Sequence, residues 1–232
     1  MDVAFDPPAA EAFGLVVLQA DLTIERELRA LLPRDRSLLV SRVPSGEDVT
    51  LETLAAMEAE LTRAASLFPH GARLHALGYG CTSGASVIGS ARVAERLRAG
   101  VAARAVHDPL SALVGACRAR GVRRIGVVTP YLAQVTDALC AALAAAGVKT
   151  PERMAFGVAS EAQVARIDAG TVLAAARAMR ARDVDAVFLS CTNLRTLAPL
   201  AVLAGEAGVP VWSSNLVLAE ALAGRRDLLA NG

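Results

Sequence analysis

Aromatic residues are scarce in this sequence and make up only 3% of its 232 residues. Its charges nearly cancel, since 24 lysines and arginines face 23 aspartates and glutamates, for a formal net charge of +1. Proteins that bind nucleic acids usually combine a basic surface with aromatic side chains that stack on bases. The composition therefore argues against a nucleic-acid partner.

Long apolar runs are also missing, although 54% of the residues are hydrophobic and the mean hydropathy is +0.42. A membrane-spanning helix needs about 20 consecutive apolar residues. The longest candidate, residues 138–148, is bounded by the charged Asp137 and Lys149. The N-terminal MDVAFDPPAAEAFG lacks the basic start and apolar core of a signal peptide. We therefore expect no membrane partner and a cytoplasmic location.

Cysteine is used sparingly, and its four occurrences form no C-x-x-C pair and no Cys/His cluster with zinc-ligand spacing. Free thiols in a reducing compartment are the simplest interpretation, and we expect no metal site. Cys117 and Cys140 lie within helical patterns, so we interpret both as packing residues. Cys81 and Cys191 each follow a predicted strand and precede a threonine, which singles them out.

Short apolar runs alternate with longer helical patterns, which predicts an α/β fold with parallel sheets covered by helices on both faces. The predicted strands are residues 14–18, 37–43, 75–80, 124–130, 185–190 and 209–214. Among the helical patterns that lie between these strands, the one over residues 50–68 is the clearest.

The two halves of the chain resemble each other. FGLVVL, from Phe13, matches IGVVTP, from Ile125, and HALGYGCTS, from His75, matches DAVFLSCTN, from Asp185, in the same order and at nearly the same spacing. This repetition predicts two pseudo-symmetric duplicated domains with the active site in the cleft between them. We place the first domain at residues 1–107 plus 216–232, with a returning C-terminal helix, and the second at residues 108–215.

The two Cys-Thr turns, within GYGCTSGASVIG (78–89) and FLSCTNLRT (188–196), carry the predicted chemistry. Ligands of parallel sheets bind beyond the carboxyl ends of the strands, and a helix N-terminus there favours a thiolate or a carboxylate. The hydroxyl and amide groups of Thr82, Ser83, Thr192 and Asn193 would add hydrogen-bond donors. Two thiols across a cleft suit proton transfer or addition at a carbon beside a carboxylate. No dinucleotide or Walker fingerprint is present, so we expect no cofactor.

With these motifs the sequence resembles the Asp/Glu racemase superfamily, and within it the branch of the maleate cis–trans isomerases and arylmalonate decarboxylases, including its ectoine-utilisation members. GLVVLQADLTIERE (14–27), the two Cys-Thr segments and RIGVVTPY (124–131) carry the resemblance. It implies two α/β domains and cofactor-independent catalysis by Cys81 and Cys191. It further implies that Thr82 and Ser83, with amides around Cys191 and Thr192, bind a substrate carboxylate and that Tyr131 donates to one of its oxygens.

The sequence departs from the maleate isomerase pattern at two places. Asp21 stands where those isomerases carry Asn, and FGVASEAQVARI (156–167) contains Ser160 and Glu161 but no Asn. The Asp21 carboxylate would repel a second carboxylate on a substrate, whereas it would suit an ammonium group or act as a proton shuttle. An equally weighted structural alternative is that Asp21 is a helix N-cap. We therefore hypothesise an amino-bearing or amidated small carboxylic acid as substrate.

The leading prediction is a cofactor-independent isomerase or racemase of a small carboxylic acid, maleate-like or amino-bearing. One alternative is a decarboxylase of a malonate-like acid, which the resemblance disfavours because the decarboxylases of this branch keep only the second-domain cysteine. Another is a non-catalytic small-acid binding protein. The superfamily resemblance also implies that a homo-oligomer is possible.

Overall fold

Two four-stranded parallel sheets form the core of the protein in the computed structural model, which describes residues 3–5, 11–225 and 228. The first sheet contains β1 (Ala12–Leu18), β2 (Leu38–Val43), β3 (Leu74–Gly80) and β4 (Ala103–His107), and the second contains β5 (Arg124–Thr129), β6 (Lys149–Ala155), β7 (Ala186–Leu189) and β8 (Val211–Ser213). The strand orders, β2-β1-β3-β4 and β6-β5-β7-β8, are the same arrangement repeated, and every pairing is parallel. The predicted duplicated α/β fold is therefore confirmed.

Helices connect the strands. They are α1 (Ile24–Leu31), α2 (Leu51–Ala56), α3 (Leu61–Ser66), α4 (Thr82–Ile88), α5 (Ser90–Gly100), α6 (Pro109–Arg120), α7 (Ala133–Ala145), α8 (Glu161–Val164), α9 (Ala169–Arg180), α10 (Leu197–Leu203) and α11 (Ser214–Ala223). A 3₁₀ turn, Met57–Glu60, separates α2 from α3, so the single helix predicted over residues 50–68 is divided in two. A second division follows α4, because Gly89 adopts φ +92°, a left-handed conformation that ends the helix.

The sequence-based prediction missed β4, which is one edge strand of the first sheet, and β6, which is one edge strand of the second. A central strand of a parallel sheet is buried on both faces and reads as a continuous apolar run, whereas an edge strand need not. The strand β6 has the sequence KTPERMA, with three charged residues, and alternates exposed with more buried positions. It also contains Pro151, which is tolerated in a sheet chiefly on an edge strand.

The helix α11 joins the two halves of the fold. It follows β8 of the second sheet yet packs against β3 and β4 of the first sheet and against α1 and α6. Eight of its ten residues are buried, among them the polar Ser214, Asn215 and Glu220, as expected of a helix that packs against several elements. The division of the chain into residues 1–107 plus 216–232 and residues 108–215 stays a prediction, and residues 226, 227 and 229–232 lie outside the described residues.

A buried carboxylate of α1 provides a second connection between the halves. Glu27 is 2% exposed and accepts hydrogen bonds from the backbone N–H groups of Thr196 (2.7 Å) and Leu197 (3.2 Å), at the N-terminus of α10. Its other oxygen accepts from the Thr196 hydroxyl (2.9 Å) and from Asn215 Nδ2 (2.8 Å). A residue next to the first sheet therefore caps a helix next to the second.

In the part of the chain that the structure describes, no helix combines the length and the apolar character that a bilayer crossing requires.

Candidate active site

The first cysteine turn lies at the carboxyl end of β3. Cys81 is the N-cap residue of α4, and its Sγ accepts a hydrogen bond from the backbone N–H of Gly84 at 3.2 Å. A Cβ at position 84 would stand 2.5 Å from Tyr79 Oη and 3.1 Å from Cys81 Sγ, so only glycine fits at this point of the turn. Ser83 Oγ lies 3.5 Å from the same sulfur. The turn thus surrounds one thiol with short-range donors.

The second cysteine turn follows β7 and has a different backbone. Cys191 adopts φ +117° and is the one non-glycine residue with positive φ in the described ranges. Such a conformation costs roughly 1–3 kcal/mol and persists only where the surroundings enforce it. Its backbone N–H donates to Ser214 Oγ at 3.0 Å, directly after β8. The two matching sequence motifs therefore present their thiols in different ways.

Hydrogen bonds join the two turns directly. Ser214 Oγ, which holds Cys191, also lies 2.7 Å from Thr82 Oγ1, next to Cys81. The Thr192 hydroxyl lies 3.0 Å from the carbonyl oxygen of Gly80, on the other side of Cys81. The two cysteine turns therefore meet at one closed site, in which each thiol-bearing residue is only 4% exposed.

Burial controls the protonation of both thiols. It raises the pKa of Cys81 to about 12, and it raises the pKa of Cys191 well above the usual range. The Glu161 and Asp21 carboxyl groups raise both pKa values further, because a second negative charge nearby disfavours a thiolate. The Ser83 hydroxyl and the Gly84 amide do lower the pKa of Cys81. The Gly84 amide at the helix N-terminus thus acts in the expected direction, and the loss of solvation in this closed site outweighs it.

Asp21 lies at the start of α1 and is 3% exposed. Its Oδ1 accepts from the backbone N–H groups of Thr23 (2.7 Å) and Ile24 (2.9 Å), and its Oδ2 accepts from the Thr192 hydroxyl (2.9 Å). Burial raises its pKa, against these hydrogen bonds, which lower it. Every oxygen of this carboxyl group already has a protein donor, as a capping role requires. Its predicted contact with substrate stays a prediction.

The Asn193 side chain is occupied by contacts that hold the two halves together. Its Oδ1 accepts from the backbone N–H of Leu22 at 2.9 Å, and its Nδ2 donates to the carbonyl oxygen (3.2 Å) and to Oε2 (2.9 Å) of Glu161. The Thr192 hydroxyl likewise contacts Asp21 and Gly80. The side chains of Thr192 and Asn193 are therefore engaged within the protein, and their predicted roles toward a substrate stay predictions.

Tyr131 follows β5 and is 1% exposed. Burial raises its pKa, and the neighbouring Cys191 and Cys81 raise it further, so its hydroxyl stays protonated beside both thiols. Thr82 and Ser83 are 1% and 2% exposed and lie in the same site. The structure thus brings together all the predicted site residues, while their roles toward a substrate stay predictions.

Sequence reasoning did not assign three further residues of the site. Ser214 bridges the two turns, Tyr79 has its hydroxyl beside Cys81, and Glu161 acts on both thiols. Ser214 could have been suspected because it is a hydroxyl residue directly after β8, much as Thr82 follows β3 with one residue between them. For Glu161 the local signal was the lack of an Asn in residues 156–167, which did not predict that Glu161 reaches the site from the start of α8.

Comparison with known proteins places the chain among relatives of similar length. The maleate isomerase of Nocardia farcinica is 33% identical over 87% of this chain and 84% of its own. A solved structure of a Nocardia farcinica maleate cis–trans isomerase variant with a covalently bound succinylcysteine intermediate superposes with a TM-score of 0.81 at 29% identity, covering 91% of each chain. A crystal structure of arylmalonate decarboxylase superposes with a TM-score of 0.69 at 26% identity over 92% of each chain.

The family model for arylmalonate decarboxylase matches residues 57–229, which include both cysteine turns, Tyr131 and Glu161. The match spans most of the chain, and the maleate isomerase relative is similar over 87% of it. The chain therefore belongs to the arylmalonate decarboxylase family, in the branch of the Asp/Glu racemase superfamily that includes the maleate isomerases.

Proposed function

We propose that this protein is a cysteine-dependent, cofactor-independent isomerase that interconverts the cis and trans forms of a small unsaturated carboxylic acid. The observation that carries the proposal is the meeting of two cysteine turns, from two repeated sheets, in one closed site. The similarity to maleate isomerases over most of the chain supports the same reaction class.

The two thiols have different parts in the proposed reaction. The reaction uses the fraction of the protein in which the Cys81 thiol has released its proton to solvent, because only the thiolate is nucleophilic. This thiolate adds to one carbon of the double bond, and the π electrons move onto the neighbouring carboxylate as an enediolate. The thiol of Cys191 protonates the other carbon, which leaves a single bond that can rotate. Cys191 then takes the proton back, the double bond re-forms, and the Cys81–carbon bond breaks, so that atoms and charge balance.

The other site groups orient the substrate and stabilise the enediolate. Ser83 and Tyr131 carry hydroxyl groups next to the thiols and can donate to a carboxylate oxygen. The backbone amides at the N-terminus of α4 supply further donors. The site is buried, which strengthens these hydrogen bonds and excludes water from the covalent intermediate.

Serine substitution of each thiol tests this assignment. We expect Cys81→Ser and Cys191→Ser each to lower the rate of cis–trans conversion at least about 100-fold, the scale of losing an acid–base or nucleophilic group. The conversion is followed by proton NMR with maleate and its monoamide. Cys140→Ser is the matched control, because this buried thiol lies on α7 and has no part in the proposed reaction. Full activity in either active-site variant would remove that cysteine from the mechanism.

The same NMR measurement separates the rival functions. A racemase would exchange the α-proton of an amino acid for deuterium in heavy water, and a decarboxylase would convert a malonate-like acid to a monoacid. A non-catalytic binding protein would bind small acids without turnover, with affinity unchanged in both serine variants. The decarboxylase is less favoured because the resemblance assigns only the second cysteine to that reaction, whereas here Cys81 is also in the site.

A further inference from the structure

One buried carboxyl group in the site has no part in the chemistry described above. Glu161 is 6% exposed, and its Oε2 accepts a hydrogen bond from Asn193 Nδ2 at 2.9 Å. Among the described residues its Oε1 has no hydrogen-bond partner, and this oxygen is not fully shielded from solvent. It is therefore an acceptor that no protein donor occupies and that a donor on a ligand can reach.

No cation compensates this charge. In the described part of the chain, no ion pair involves Glu161 or Asp21. The Arg42 guanidinium lies nearest to Asp21, but it is largely exposed and donates to the carbonyl oxygen of Asp21 rather than to its carboxylate. Two acidic groups thus occupy the site, and each raises the pKa of the Cys81 thiol.

Glu161 is also fixed in position. Asn193 Nδ2 contacts both its carbonyl oxygen and its Oε2, and the backbone N–H of Glu161 donates to the carbonyl oxygen of Glu47 at 3.0 Å. Asn193 belongs to the turn of Cys191, so these contacts hold the Glu161 carboxyl group against the second cysteine turn. Its free oxygen is therefore an acceptor held in place next to that turn.

We propose that Glu161 determines the substrate class, by accepting a hydrogen bond from an N–H group at one end of the substrate. The preferred substrate is then a cis-unsaturated acid with one carboxylate and one primary amide. This inference rests on the proposed isomerase function. A dicarboxylate would bring two negative charges to a site that already holds two acidic groups. A primary amide supplies the missing donor and, being conjugated with the double bond, still activates it toward thiolate addition; an ammonium group would not.

Glu161→Gln is the informative variant, because its side-chain oxygen can still accept from Asn193 while its NH₂ group replaces the free acceptor with a donor. We expect the wild-type protein to convert maleamate, the monoamide of maleate, with a kcat/KM at least about tenfold above that for maleate, the scale of a charge-assisted hydrogen bond. In Glu161→Gln the preference should disappear or reverse. Glu152→Gln, on the edge strand β6, is the control that should keep the wild-type ratio.

Binding of saturated analogues tests the selectivity without turnover. Succinamate and succinate have no double bond to isomerise, so calorimetry with them reports on Glu161 even if the proposed reaction is wrong. We expect wild-type protein to bind succinamate at least about tenfold more tightly than succinate, and Glu161→Gln to lose this difference. Equal binding, tighter binding of succinate, no binding of either acid, or a ratio that Glu161→Gln leaves unchanged would each overturn the inference. Selective binding without conversion of maleate or maleamate would instead contradict the proposed function alone.

Discussion

At the scale of the residue, the two cysteines differ more than their sequence contexts suggest. Both sit in Cys-Thr turns at the carboxyl ends of corresponding strands, yet Cys81 has an extended backbone with φ −153° and Cys191 has φ +117°. The motif predicts the position of each thiol because strand ends meet at one edge of a sheet. It cannot predict the backbone strain, which depends on what Ser214 and the rest of the site hold in place.

The strain at Cys191 makes a testable prediction about stability. Glycine usually destabilises a protein relative to alanine because it loses more conformational freedom on folding, but it adopts positive φ without steric cost. We therefore expect Cys191→Gly to be more stable than Cys191→Ala by about 1 kcal/mol. Urea denaturation measures the difference. The same pair at Cys81 is the control and should show the ordinary order, with alanine the more stable; glycine less stable than alanine at both positions would show that Cys191 is unstrained.

Glu161 shows where residue-scale prediction from sequence fails. The absence of an Asn in residues 156–167 was visible, and it motivated the hypothesis of an amino-bearing or amidated substrate. That Glu161 itself enters the site depends on hydrogen bonds with Asn193 and Glu47, which are distant in sequence. The sequence also singled out Asp21, which stands where the maleate isomerases carry Asn. In the structure its carboxylate oxygens already accept hydrogen bonds from three protein donors.

At the scale of the element, predictability followed the apolar runs. The central strands β1, β3, β5 and β7 were all recognised as such runs, and so were the edge strands β2 and β8. The edge strands β4 and β6 were missed because exposure relaxes the demand for apolar residues there. A helix interruption was missed as well. The periodicity that predicts one helix over residues 50–68 continues across the 3₁₀ turn Met57–Glu60, although the hydrogen bonding changes there.

The capping of α10 by Glu27 makes a prediction at this scale. Glu27→Ala would leave four donors without their acceptor, two backbone N–H groups and the side chains of Thr196 and Asn215. We expect a loss of about 3 kcal/mol or more in the free energy of unfolding, measured by urea denaturation. Glu25→Ala is the matched control on the same helix, since its ion pair with Arg42 is exposed and should contribute less than about 1 kcal/mol. Equal losses in the two variants would show that the capping contributes little.

At the scale of the whole molecule, the duplicated α/β architecture was predicted correctly because two motifs recurred in order along the chain. How the halves are joined could not be read with the same certainty. The connections are the buried Glu27, the Asn193 side chain, and α11. Glu27 and α11 lie outside the repeated motifs, and Asn193 lies in one of them at a position where the other half has Ser83.

These connections predict cooperative unfolding. Trp212, the single tryptophan, is 1% exposed on β8, so its fluorescence reports on the second sheet, whereas far-UV circular dichroism reports on both. We expect the two signals to change at the same urea concentration, because neither half can unfold without exposing the residues that join them. Midpoints that differ clearly would show that the halves unfold independently.

The position of α11 in the chain also bears on biosynthesis. The helix that covers β3 and β4 is translated only after residue 213, long after those strands have left the ribosome. Until then the nascent first sheet exposes an apolar face that its own neighbouring segments cannot cover. A growing chain of this protein should therefore depend on chaperones until α11 has emerged from the ribosome, and catalytic turnover should begin only once α11 covers those strands.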